Sequence, residues 1–406
     1  MAPDTLKTKY DLKELELNAL LEITQAINNN LPQESLYKIY DFTLRANLKI
    51  KQLALYVKDE DWVCKVNYGT SIDFTNITLD DSFLDFKKIK KIRGKERYMG
   101  FNEFDMVIPV SHKDQVLAFV FVGGLLDDEE SEVADTNFLQ VLSNIILVAI
   151  ENKKLARQQL QQEALSKELE IARGVQELLF PESLPYDSDL QIIANYLPHQ
   201  DVSGDYYDYI KINDDQFLLG IADVSGKGIP AAILMSNFQA TLRTMARHTV
   251  DLKEIITELN YQTIHNARGE HFITFFVAIV DLKNKSVYYA NAGHNPPLFK
   301  ADNQPLQMLE LGTTILGIFD PLPFLRVGKL EYEKELLFFS YTDGLTETFN
   351  ETGEPFEIEP LIEMVESYRD PELIPLHENI LIAVDQHKGI NTYHDDITML
   401  SCRVKT

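Results

Sequence analysis

Cysteine is scarce in this 406-residue chain: Cys64 and Cys402 are the only two. Two thiols cannot build a disulfide framework or a cysteine-rich zinc site, and this usage suits a reducing compartment. Basic residues are also few, with 38 Lys plus Arg against 63 Asp plus Glu, a formal net charge of −25. That deficit argues against binding to nucleic acid or anionic membrane, because affinity for phosphate backbones comes from Lys and Arg. No apolar run approaches the roughly 20 residues of a membrane span. Ile145–Ile150 is too short and leads into polar sequence. Met1-Ala2-Pro3-Asp4-Thr5 has neither a basic start nor an apolar stretch behind it, so no signal peptide is expected and a cytoplasmic location is.

What is present is ordinary globular material, 45% hydrophobic and 25% charged, of a length that fits two to three domains. The acid is uneven: residues 1–150 sum to −7, 151–185 to −1 and 186–406 to −17. Helical spacing of Leu12, Leu15, Leu20, Ile23 and Ile27 predicts a helix over 10–28, ended by Asn28-Asn29-Asn30 and Pro32, with a second over 33–48. Strand patterns follow at 52–57, 62–68, 106–110 and 116–123, the last two joined by the turn Ser111-His112-Lys113-Asp114. The charged stretch 80–104 has no clear pattern. Asp127-Asp128-Glu129-Glu130 then opens a helix from about Ser131, since acids in a first turn suit the helix dipole.

That helix runs to about Leu179 with no Gly or Pro before Gly174, and Glu151–Glu163 within it is polar. Leu165, Leu169, Ala172 and Leu179 restore an apolar stripe that Gln176 interrupts. Residues 131–180 therefore read as a signalling linker, either a seam paired with its copy in a parallel homodimer or a monomeric spacer. Pro181 and Pro185 open the last segment, where strands are expected at 190–196, 207–212, 216–224, 274–281, 286–292, 336–341 and 398–404. Helices are expected at 230–247, 252–267, around 359–367 and at 375–384. Strand pairs, then a helix pair, then more strands give an α+β order rather than βαβ alternation.

Aspartates stand where these strands end. Asp205 lies in Ser203-Gly204-Asp205-Tyr206, Asp223 in Ala222-Asp223-Val224-Ser225-Gly226-Lys227-Gly228 and Asp343 in Tyr341-Thr342-Asp343-Gly344. Asp395 and Asp396 precede the last strand. An unpaired acid at the end of an apolar strand is costly, and hard cations such as Mg²⁺ and Mn²⁺ relieve that cost. A single such Asp reads as a turn or cap residue. Four together leave a two-metal site and turn roles both open on spacing alone.

The run Ala222-Asp223-Val224-Ser225-Gly226-Lys227-Gly228-Ile229-Pro230-Ala231-Ala232 closely resembles the SpoIIE/RsbU-type serine phosphatases of the metal-dependent PPM (PP2C-like) superfamily. So do Asn291-Ala292-Gly293-His294-Asn295-Pro296-Pro297, Tyr341-Thr342-Asp343-Gly344-Leu345-Thr346-Glu347 and Asp395-Asp396-Ile397-Thr398, in the family's order. The resemblance implies a phosphatase domain at 185–406, a β-sandwich flanked by helices with two Mn²⁺ or Mg²⁺ ions at one edge. It implies that Asp205 and Asp223 contact the centre, Asp223 bridging both ions, that the Val224 carbonyl ligates one and that Asp343 and Asp395 hold the other. These four acids would be the catalytic set, acting through an activated water. Asp396 stands at a position often Asn in eukaryotic relatives, and Asp208 reads as structural or supporting. Two departures are Ser203 and Glu357, each at a position where Gly is common in the family. Helices 230–247 and 252–267 resemble the family's regulatory switch, able to move Asp223 and Val224. The implied substrate is a phosphoserine or phosphothreonine protein, commonly a STAS-domain anti-sigma-factor antagonist.

Other signals are weaker. Gly220 to Lys227 has one residue too many for a P-loop and lacks the following Ser or Thr. Ser203–Tyr207 faintly resembles a diguanylate cyclase signature but lacks its consecutive acids. His294, beside Gly and Asn, reads as a turn-fixing residue. Lys227 reads equally as a phosphate attractor or a solvated loop lysine. Residues 10–150 resemble a GAF sensor domain, which implies a small ligand or upstream partner there. Cys64 reads as a strand residue. The alternatives to an enzyme are a non-catalytic scaffold with an inactive phosphatase domain and, by chemistry, a two-metal nucleotide cyclase.

Overall fold

The computed structural model describes the backbone of residues 3–405 except 48–49, 60, 80–82, 84, 93–99, 113–114, 125–128, 200 and 303, and the side chains of these except 3–9, 12, 47 and 129–135. The Lys113-Asp114 half of the expected turn, the Asp127-Asp128 pair and much of the charged stretch 80–104 lie outside the described residues. The chain divides into two units, Met1–Glu163 and Ala164–Thr406.

The N-terminal unit contains α1 (Pro3–Asn28), α2 (Gln33–Asn47), β1 (Gln52–Lys58), β2 (Trp62–Tyr68), β3 (Lys90–Lys91), β4 (Met106–His112) and β5 (Gln115–Gly123). The strands form an antiparallel sheet in the order β2-β1-β5-β4-β3. Side chains alternate across it, as strand geometry requires. Leu53, Leu55, Ile108, Val120 and Val122 face the helices and meet Ile23, Leu36, Tyr40, Leu142 and Ile146. Tyr56, Phe119 and Phe121 face the other way and join Phe74, Phe83, Phe101 and Phe104 in a second, aromatic core. Cys64 is a buried strand residue on that aromatic side, and burial pushes its thiol up to about 11.

Helix α3 (Glu129–Glu177) is continuous across the boundary between the units. Along its apolar stripe Leu165 is exposed, Leu169, Ala172 and Leu179 are half-buried and Gln176 is buried, so the end of the stripe packs on the C-terminal unit. Leu160, Ile171, Val175 and Leu178 are among the most exposed apolar residues of this segment, at 66%, 69%, 59% and 80% accessibility.

The C-terminal unit contains β6 (Leu190–Leu197), β7 (Tyr206–Lys211), β8 (Gln216–Val224), α4 (Ile229–His248), α5 (Leu252–Ala267), β9 (Ile273–Asp281), β10 (Ser286–Ala292), β11 (Leu298–Ala301) and β12 (Gln307–Met308). It continues with β13 (Gly312–Thr313), β14 (Gly328–Glu331), β15 (Glu335–Tyr341), α6 (Asp343–Thr346), α7 (Glu359–Ser367), α8 (Ile374–Lys388) and β16 (Ile397–Lys405). One sheet has the order β13-β10-β9-β8-β7 with β14 beside β10, and the other is β12-β11-β15-β16-β6. Phe217, Leu219, Ile221, Phe276 and Ala278 of the first sheet pack on Phe338, Leu400 and Cys402 of the second. The alternate residues Leu218, Phe275 and Val277 face outward and are covered by Phe238 and Leu242 of α4 and Ile255 and Leu259 of α5. On the other side Phe339, Tyr341 and Met399 are covered by α7 and α8. The result is helix, sheet, sheet, helix.

Local chemistry sets these elements. Pro230 in the first turn of α4 has no N–H to waste, and the Asp251 side chain accepts the Lys253 N–H at 2.8 Å to cap α5. In α8, buried His377 contacts Asn195 Oδ1 through Nδ1 at 2.6 Å and Ser401 Oγ through Nε2 at 2.7 Å, and burial pushes its pKa down to about 3. Among the described residues no helix is long and apolar enough to cross a membrane.

Candidate active site

Strand register gathers the aspartates. Tyr206 pairs with Ala222, so Asp205 before β7 and Asp223 near the end of β8 fall at the same end of one sheet. Tyr341 pairs with Met399, which brings Asp343 after β15 and Asp395-Asp396 before β16 to one end of the other. Two close approaches at this edge admit only glycine. A Cβ on Gly204 would lie 2.7 Å from the Val224 carbonyl oxygen, and one on Gly344 would lie 2.0 Å from the Asp396 carbonyl oxygen.

Asp205 is the most enclosed of the set, with 2% of its surface accessible. Its Oδ2 accepts from Thr342 Oγ1 at 2.8 Å and from Thr398 Oγ1 at 2.5 Å. The Thr342 oxygen in turn accepts the Thr398 N–H at 2.9 Å, which locks both threonines. The Asp205 N–H donates to Ser203 Oγ at 3.0 Å. Burial, then the charge of Asp223, raises the Asp205 carboxyl well above the usual carboxylate range. Asp223 is raised by burial and by the charges of Asp343, Asp395 and Asp396, and Asp343 by burial, Glu347 and Asp395. The acids thus form one electrostatically coupled group.

As the side chains stand, among the described residues no three His, Cys, Asp or Glu groups converge tightly enough to hold an ion. Lys227 takes part of that role: its Nζ lies 2.7 Å from Asp395 Oδ2 and donates to the His394 carbonyl at 2.8 Å. The donor set nevertheless fits hard divalent cations, because it consists of carboxylates and a carbonyl whose mutual repulsion disfavours full ionisation without a counter-charge.

The remaining residues singled out in the sequence divide clearly. Asp396 Oδ1 accepts the His199 N–H at 2.7 Å. Asp208 is fully buried and paired with Arg243 of α4, at 2.7 Å to Nε and 3.1 Å to Nη2, and it also accepts from the Tyr206 hydroxyl. His294 is buried; its N–H donates to Asn291 Oδ1 at 2.7 Å, and Asn291 Nδ2 donates back to its carbonyl at 2.9 Å. Its Nδ1 contacts Thr274 Oγ1 at 2.9 Å. The sequence reading missed the roles of Thr342, Thr398 and Gln176. The threonines sit inside motifs already singled out, and the polar break at Gln176 was the signal for the third.

The two packed sheets with flanking helices have the PP2C-like fold. The SiaA-PP2C domain of Pseudomonas aeruginosa is similar at TM-score 0.53 and 21% identity, over 61% of this chain and 98% of that one. Residues 213–405 match the family model described as Stage II sporulation protein E (SpoIIE). The phosphoserine phosphatase RsbU of Bacillus subtilis is 29% identical over 247 residues, 60% of this chain and 72% of that protein. The phosphoserine phosphatase RsbP of the same organism is 26% identical over 243 residues, 59% of this chain and 58% of that protein. The C-terminal unit is thus similar in sequence to the SpoIIE family and to the RsbU and RsbP phosphoserine phosphatases, and in fold to a PP2C domain.

Proposed function

We propose that the chain is a metal-dependent protein phosphatase that hydrolyses a phosphoserine or phosphothreonine protein, with a STAS-domain antagonist as the favoured substrate. The observation that carries this reading is the coupled group Asp205, Asp223, Asp343 and Asp395 at one edge of the sandwich, beside the Val224 carbonyl. Asp205, Asp223 and the Val224 carbonyl would hold one ion, and Asp343 and Asp395 the second. Two divalent cations, Mn²⁺ or Mg²⁺, would supply an acidified water and charge neutralisation there. The chain's own residues do the rest. Thr342 and Thr398 fix the Asp205 carboxylate, Gly204 leaves the Val224 carbonyl uncovered by a side chain, and Lys227 holds the Asp395 loop. Both cysteines are buried, so neither offers a thiolate nucleophile.

The N-terminal unit, residues 10–150 within it, would act as a GAF-like sensor for a small ligand or upstream partner; its antiparallel sheet with helices on one face supports that reading. The test is phosphate release from phospho-STAS proteins by the full chain with Mn²⁺ or Mg²⁺. Asp223→Asn and Asp343→Asn should each cut the rate roughly a thousandfold, the equivalent of several kcal/mol of transition-state stabilisation. Activity surviving both changes overturns the two-metal assignment. Inactivity of the unaltered chain with either metal favours the scaffold reading, for which the Lys227–Asp395 pair is the supporting observation.

A further inference from the structure

Gln176 is a buried carboxamide in the last turn of α3, on the stripe that is otherwise apolar. Both ends of its amide are used on one residue. Nε2 donates to the Ser203 carbonyl at 2.7 Å, and Oε1 accepts the Ser203 N–H at 3.1 Å. The side chain thus imitates a neighbouring strand, completing the two backbone groups of a residue with no accessible surface. Ser203 passes the constraint on, because its Oγ accepts the Asp205 N–H at 3.0 Å. The same helix end is held twice more. Gln239 of α4 donates to the Leu179 carbonyl at 3.1 Å, and the Phe180 ring lies 4.8 Å from that of Tyr196 and 5.0 Å from that of Tyr207.

An apolar residue at 176 would leave the Ser203 N–H and carbonyl buried without partners, and the loop would have to shift to reach water. Asp205 sits two residues further on, held from its other side by Thr342 and Thr398. We propose that Gln176 is a positioning residue for Asp205, fixing the Ser203-Gly204-Asp205 loop so that this carboxylate is set for metal. The assignment rests on the phosphatase reading above. Residues that hold a metal ligand in place are worth roughly 10- to 100-fold in metal affinity.

The experiment is a titration of the full chain with Mn²⁺, followed by the electron paramagnetic resonance signal of the free ion, with thermal unfolding measured alongside. Gln176→Met, which keeps the volume and removes the amide, should weaken Mn²⁺ binding about tenfold. With a small aryl phosphate as substrate, kcat at limiting Mn²⁺ should fall, recover with excess Mn²⁺ and leave KM unchanged. Ser203→Ala removes the hydroxyl that accepts the Asp205 N–H and also meets the Tyr196 hydroxyl, and should weaken Mn²⁺ binding in the same direction, which keeps the test open should Gln176→Met fail to fold. Ile380→Val, in the α8 layer, serves as a destabilised control with unaltered affinity. Lowered thermal stability with unaltered Mn²⁺ affinity in both Gln176→Met and Ser203→Ala would make Gln176 merely structural and overturn the proposal. An unaltered chain that binds no Mn²⁺, indistinguishable from Asp205→Asn, defeats the metal-site reading itself and the Gln176 assignment with it.

Discussion

Glu357 adopts φ +62°, a left-handed conformation that costs a residue with a Cβ about 1–2 kcal/mol. It is also the position where the sequence carries Glu in place of the family's common Gly. Glycine adopts this backbone freely but loses about 0.5–1 kcal/mol through its more flexible unfolded chain. The difference favours glycine, so Glu357→Gly should stabilise the C-terminal unit by roughly 0.5–1 kcal/mol. Urea unfolding checks this, and an unchanged or lowered midpoint overturns it. At this scale the sequence showed where acids and glycines belong but not what surrounds them. The two threonine hydroxyls on Asp205 come from 137 and 193 residues away in the chain. Such partners follow from strand register, which no local pattern contains. Ser203, another departure from the family's common Gly, has a use that Gly could not fill, because its Oγ takes the Asp205 N–H.

Helix α4 is tied to the sheet by the Arg243–Asp208 pair, whose carboxylate side chain has no accessible surface. Removing one member of a buried pair strands the other charge, at a typical cost of 3–5 kcal/mol. Arg243 is itself 38% accessible, which places the expected loss for Arg243→Leu near the lower end, about 3 kcal/mol. Denaturant unfolding of the full chain measures it, and a loss below about 1 kcal/mol would mean the pair is already screened by water. The bounds of α4 and α5 were legible because Pro230 and Asp251 punctuate them. The short strands β12 and β13, two residues each, and the four-residue α6 were not, since such pieces complete no period and exist only through their neighbours. The apolar stripe of α3 was legible as a pattern, and its end at Ala172, Gln176 and Leu179 packs within the C-terminal unit. Leu165, Leu169, Ala172 and Leu179 are spaced for packing, but periodicity does not say whether the surface met is a second copy or the chain's own domain.

For the whole molecule, the uneven charge keeps its meaning: the acid-rich segment is the one that folds around the carboxylate group. The choice between a homodimer seam and a monomeric spacer can be tested on the exposed apolar residues of α3. Leu160, Ile171, Val175 and Leu178 share one face of α3 and its last turn, since residues eleven apart on a helix differ by only about 20°. If they form the seam, Leu160→Glu with Ile171→Glu in the full chain should bring the light-scattering mass to that of one 46.5 kDa chain. A dimeric mass unaffected by both changes, or a monomer from the outset, rejects the helix as the seam.

The division of the chain at Glu163 and Ala164 falls inside an unbroken helix, so the first thing the C-terminal unit owns is a set of helical turns that carries Gln176 and ends at Glu177. A hybrid gene that joins this unit to another helix-ended segment inherits a phase as well as a sequence. Each added residue rotates what lies upstream by about 100° relative to the face carrying Gln176, so only steps of about seven or eleven residues restore alignment. Viable spacer lengths in such fusions should be discrete rather than continuous.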